Sequence, residues 1–224
     1  RNVTNMKNMF FGASDFNQNI NEWDTRNVKT MRGMFFRAVC FNSWVLNWNV
    51  GKVTDMSHMF HDAWSFQGKG LRAWKPLEVR NMESMFQNAQ SFEGTTVFRD
   101  ERIGGWDTSK VRNMSSMFKD AMNFNGPIGG WDTSAVETME DMFRNARTFN
   151  RDIGRWVTSN VIYMQGMFRN ARNFNNGNDP DPARRIFNND INTKAVLVNG
   201  RTYTAWDTSK VTNMQAMFKN ARTF

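Results

Sequence analysis

The chain has 224 residues and a formal net charge of +8, and its apolar residues are mostly Met (17), Phe (20) and Trp (9), with very little Leu. That length allows one or two domains, but the vocabulary is not that of an ordinary globular core. The single cysteine, Cys40, excludes an internal disulfide and a cysteine-based metal centre, and the chain holds no apolar run long enough for a membrane span.

Internal periodicity organises everything else. The pattern V-x-N-M-x-x-M-F-x-x-A-x-x-F-N returns with its valine at Val3, Val28, Val53, Val79, Val111, Val136, Val161 and Val211. Two methionine columns follow, from Met6 and Met9 to Met214 and Met217, and they hold every methionine except Met122. Columns of Phe (Phe10 to Phe218), Ala (Ala13 to Ala221) and Phe again (Phe16 to Phe224) complete the unit. A tryptophan recurs between copies at Trp23, Trp48, Trp74, Trp106, Trp131, Trp156 and Trp206, usually within W-D-T-S.

The apolar positions of one copy match the face of an α-helix, which predicts a short helix over 111–121 and its equivalents, capped by Thr108 or Ser109. The alternation in 103–108 and 128–133, with Trp and Thr inward and Asp outward, predicts a short strand. One strand and one helix per 25 residues cannot bury an apolar face alone but can when stacked. The expected architecture is therefore an α/β solenoid, a right-handed stack of about eight such units forming a single domain over 1–224. A second register is open, in which V-x-N-M-x-x-M leads into a leucine-rich-repeat strand and the Met-Phe segment is extended. Two insertions break the period, near 95–102 and 176–205. The second contains two alternating runs around Asn199-Gly200, the dipeptide of a tight hairpin. Because the chain starts and stops inside repeats, without polar caps, it reads as an excerpt from a longer array.

The segments W-D-T-S-K-V-T-N-M-Q-A-M-F-K-N-A at 206–221 and F-N-R-D-I at 149–153 resemble the short-repeat bacterial surface-protein family of mycoplasma and listeria lipoproteins, itself similar to BspA-like leucine-rich-repeat proteins. The resemblance extends over nearly the whole chain. It implies a leucine-rich-repeat-like array at a cell surface or secreted, adhesion or protein recognition, and no enzymatic activity. D-T-S is lost after Trp48 and Trp74, which predicts altered turns there over unchanged cores.

The charge is concentrated. Lys119, Arg144, Arg169 and Lys219 follow Met-Phe in the later copies, and Arg147, Arg172 and Arg222 lie three residues further on. Helical spacing would align them into a basic stripe suited to an anionic glycan, an acidic protein surface or, on charge alone, a nucleic acid; a merely solvated face is the plainer alternative. The early copies carry Phe11, Phe36, His61 and Gln87 in that column instead. Phe11, Phe36, Trp44 and Trp64 form a candidate aromatic patch for sugars or a partner protein. The aspartates of W-D-T-S (Asp24, Asp107, Asp132 and Asp207) and the asparagines after the last Phe read as turn and ladder residues. His58 and His61 make too weak a set for a metal, and Cys40 is expected to be a buried small hydrophobe. No catalytic motif, cofactor site or metal site is predicted. The expected function is a non-enzymatic recognition or adhesion module binding a protein or acidic polysaccharide along one face. The alternative is a structural or assembly protein, a filament or virion component, that self-associates through its repeats.

Overall fold

A computed structural model of the chain describes residues 2–94, 103–177, 194–198 and 200–223. Among these residues the regular elements are a single turn of 3-10 helix, Leu71–Ala73, and an antiparallel hairpin of β1, Lys194–Val198, and β2, Arg201–Ala205. The expected α/β solenoid of strand-plus-helix units does not form. The repeats do stack in order, but each is built from consecutive tight turns.

The reason lies in two residues of every repeat. The second residue after the first Met is left-handed in all eight copies: Asn8, Gly33, His58, Ser84, Ser116, Asp141, Gly166 and Ala216 have φ between 52° and 64°. Four residues later the same holds at Gly12, Arg37, Asp62, Asn88, Asp120, Asn145, Asn170 and Asn220. A left-handed residue at the third position is what a type II turn requires, and an α-helix cannot accept one in its interior. Each turn closes on itself: in the second repeat Met34 N–H donates to Met31, Phe36 to Gly33 and Ala38 to Phe35.

The intervening amides serve a different purpose. In the same repeat the N–H groups of Met31, Gly33, Phe35 and Arg37 donate to the carbonyls of Asp55, Ser57, Met59 and His61 in the next repeat. Turn bonds and between-repeat bonds thus alternate along the segment, and its backbone polar groups are satisfied without a helix. The residue before the first Met forms a one-residue parallel bridge to its counterpart, running Asn5, Thr30, Asp55, Asn81, Asn113, Thr138, Tyr163 and Asn213. The Met-Phe segment is therefore neither the helix nor the extended strand of the two registers expected from the sequence, but a run of turns.

Stacking in register places identical side chains over one another. The first Phe column is a file of near-parallel rings, with centroids 5.4–5.8 Å apart from Phe10 to Phe218. Within one repeat the two phenylalanines stack more closely, at 3.8 Å for Phe118 and Phe124. Both methionine columns are fully buried from Met31 to Met167. Each repeat is also tied to its neighbours by side chains. The indole N–H groups of Trp48, Trp74, Trp106, Trp131, Trp156 and Trp206 donate to carbonyls of Ile20, Val45, Leu71, Ile103, Ile128 and Ile153 in the preceding repeat. The hydroxyls of Thr25, Thr108, Thr133 and Thr158 reach forward to carbonyls of the following one. The predicted alternation of buried Trp, outward Asp and buried Thr therefore holds at 106–108, but as turn and extended chain rather than a strand.

The insertion at 95–102 lies outside the described residues, as do 178–193 and Asn199 of the second insertion. The hairpin around Gly200 is formed, with Val198 opposite Arg201 and Lys194 opposite Ala205. It adds no repeat to the stack, because Tyr163 bridges directly to Asn213 across the interruption. Ala205 pairs antiparallel with Val157, which guides the chain back into register.

Two stability measurements test this architecture. Met142 is fully buried in its column, so Met142→Ala should lower the unfolding free energy by about 2–5 kcal/mol in urea titration; a negligible change would mean that the column faces water. Ala216 holds a left-handed φ of 56° without a glycine's freedom. Ala216→Gly should therefore stabilise the chain by about 1 kcal/mol, and a loss of stability would contradict the turn assignment.

Candidate functional site

The turns of the Met-x-x-Met-Phe segment form one continuous lateral face, because each repeat's turn hydrogen-bonds to the next. The residue after Met-Phe repeats in register along it. Asn88 N–H bonds to Lys119 O, Asp120 to Arg144, Asn145 to Arg169 and Asn170 to Lys219, which sets the four cations in one file. The backbone delivers this alignment, not a helical face. Beside the file runs a ladder of side-chain amides on the left-handed residues. Asn145 donates to Asp120, Asn170 to Asn145 and Asn220 to Asn170, at 2.6–2.7 Å.

The basic file is not uniformly available. Asp141 takes Lys119 Nζ and an Arg144 guanidinium nitrogen on the same carboxylate oxygen, each at 3.0 Å. The column of Asp141 holds Gly166 and Ala216 in the next two repeats, so Arg169 and Lys219 meet no acid there. Arg169 and Lys219, with the exposed Arg147, Arg172 and Arg222, make no ion pair among the described residues. Arg169 Nε and Gln165 Oε1 are buried without a hydrogen-bond partner. Sequence reading found the cations but missed Asp141, whose place between the two methionines is the signal that would have revealed it.

At the other end of the face the file is aromatic. Phe11 and Phe36 meet edge to face, with centroids 4.9 Å apart and planes at 80°, and Phe36 stacks on His61 at 4.5 Å. Trp44 and Trp64 are exposed but make no ring contact with this pair, so the proposed four-residue patch divides. Phe11 and Phe36 line an open groove of about 270 Å³ with Lys7, Asn8, Arg32, Gly33 and His58. Sequence reading did not single out Lys7 and Arg32, the residues between the two methionines.

His58 and His61 face each other through their Nδ1 atoms at 3.3 Å. Burial depresses both imidazoles; His61 falls to about 4, with Asp62 opposing the shift, and His58 moves the same way against Glu83. Among the described residues no group of three or more metal-ligating side chains converges. The aspartates of W-D-T-S act as turn acceptors. Asp107, Asp132 and Asp207 accept from the backbone N–H of Ser109, Ser134 and Ser209, and Asp24 from Arg26. Hydrogen bonds from Arg26 at Asp24, and from Ser209 at Asp207, hold both carboxyls below the usual aspartate range. The asparagine ladder is also present: Asn17, Asn42, Asn125 and Asn150 accept from the backbone N–H one repeat on. Cys40 departs from expectation. It is exposed rather than buried, because the residue just before the core Phe lies on the outside of its turn.

A family profile described as "Mycoplasma protein of unknown function, DUF285" matches residues 1–97, 90–181 and 181–224, which together span the chain. The chain belongs to this family. Searches of curated proteins and of solved structures find no match. Among the described residues of this DUF285 chain, no helix is long and apolar enough to cross a membrane.

The neutral histidine pair makes stability depend on pH. The unfolded chain binds protons at its imidazoles below about 6.5 while the folded chain resists until about 4, so stability falls as pH drops through that window and is complete above it. Thermal unfolding followed across the window should show this slope, and His61→Gln should flatten it; an unchanged slope would assign the acid sensitivity to other groups.

Proposed function

We propose that this DUF285 chain is a non-enzymatic recognition or adhesion module, displayed at a cell surface or secreted, that takes a protein or anionic glycan along the lateral face of its Met-Phe turns. A relationship to BspA-like leucine-rich-repeat proteins belongs to the same reading and rests on the motif at 206–221. The observation that carries the reading is the division of charge on that face. Lys119 and Arg144 are held on Asp141, whereas Arg169 and Lys219 of the file, and Arg172 beside it, make no ion pair among the described residues. Such an array attracts an extended polyanion and costs little reorganisation on binding, because the backbone already fixes the spacing.

Titration of the chain with a heparin oligosaccharide at increasing salt tests it. Binding should weaken steeply with salt. The double variant Arg169→Glu, Arg172→Glu should lose about tenfold or more in affinity, while Lys119→Gln, whose ammonium is held on Asp141, should change it less. Salt-insensitive binding, equal loss in both variants, or ordered polymers formed without any ligand would overturn the reading, the last in favour of a structural protein.

A further inference from the structure

The groove at the aromatic end of the face has a chemistry of its own. Its lining holds two cations and no carboxylate: Lys7 and Arg32 are exposed and make no ion pair among the described residues. The nearby Arg37 is different, since its Nε lies 3.6 Å from Asp62 and its charge is thereby answered. Phe11 is half exposed, and with Phe36 set at 80° to it the two rings form an L-shaped aromatic wall. His61 stacked behind Phe36 fixes that wall in place.

The floor of the groove depends on a glycine. Gly33 has a left-handed φ of 58°, and a side chain there would collide with the Asn8 amide oxygen lying over it. Asn8 thus sets an amide between the two cations' repeats, within a cleft otherwise walled by rings. Apolar wall, amide and cations are brought together in one small open space.

We infer that this groove is a binding subsite for a single saccharide ring bearing an acidic group. The ring's C–H face packs on Phe11 and Phe36, its hydroxyls meet Asn8, and its carboxylate or sulfate is held by Lys7 and Arg32. The inference rests on the recognition reading above and narrows its ligand class. A volume of about 270 Å³ falls just below the range of pockets for drug-sized ligands, about 300–1,000 Å³, and suits one ring rather than a protein surface, which needs about 800 Å² from each partner. The planar guanidinium of Arg32 can engage an acidic group through two parallel hydrogen bonds, whereas Lys7 supplies a point charge.

Calorimetric titration with tri-galacturonate, a sulfated galactose trimer, neutral galactotriose and an acidic peptide of Glu residues provides the test. At least one of the two acidic sugars should bind, and the neutral sugar should bind about tenfold or more weakly. Phe11→Ala and the double variant Lys7→Gln, Arg32→Gln should each reduce binding of the acidic sugar by about tenfold, and Arg32→Lys should fall between. Both sets of substitutions lie on exposed residues, and an unchanged melting temperature will separate loss of binding from loss of fold. If the acidic sugar binds but responds to Arg169→Glu, Arg172→Glu instead, the groove assignment is overturned while the recognition reading survives. If the acidic peptide binds the groove as well as the sugars do, the saccharide class is wrong. If neither acidic sugar binds while the heparin oligosaccharide still does, the groove assignment alone is overturned.

Discussion

The alternation of hydrogen bonds along the Met-x-x-Met-Phe turn is the constraint from which the rest of this structure follows. One amide closes its own turn and the next reaches the following repeat, so that turn geometry and stacking geometry are a single arrangement. It works because two residues per repeat accept a left-handed backbone. A β-branched side chain in those columns would make the turn costly, and the same residue would then withdraw an amide from the neighbouring repeat. The residues found there are mostly Asn, Asp, Gly and Ser, the types whose small or hydrogen-bonding side chains suit the left-handed region.

Once the backbone spacing is set, the core has little freedom. A flat ring over a flat ring at 5.4–5.8 Å fills the distance between repeats, and the flexible thioethers of the Met columns fill what the rings leave. The indole and hydroxyl hooks add hydrogen bonds in opposite directions, back to one repeat and forward to the next. Each repeat is thereby stabilised by both neighbours, as in other repeat arrays, where cohesion is carried between adjacent units.

The same regularity gives the lateral face its functional interest. Because every repeat presents one side chain at the same point, single substitutions along the file write a chemical gradient from Phe11 and Phe36 through His61 and Gln87 to Lys119 and the arginines. Asp141, which holds Lys119 and Arg144, interrupts it and leaves Arg169 and Lys219 without an ion pair among the described residues. The left-handed residues beside the file carry the amide ladder, so the surface chemistry and the fold draw on neighbouring positions of the same turns.

The sequence by itself determined the repeat unit, its boundaries, which columns are buried and the identity of the cations, because identical residues at fixed spacing must play identical parts in a stack. It also held the clue to the turns, in the Asn, Asp, Gly and Ser that fill most of two columns four residues apart, but the apolar offsets fit a helix equally well and favoured the wrong backbone. Only the tertiary structure decided between them, since the choice depends on where alternate amides find acceptors, and those acceptors lie 25 residues away. The site followed the same division. Lys119 and Arg144 were legible as cations, yet the reach of Lys119 to Asp141 of the following repeat and the meeting of Lys7, Arg32, Phe11 and Phe36 around Gly33 arise from contacts between repeats, which no single copy of the motif contains.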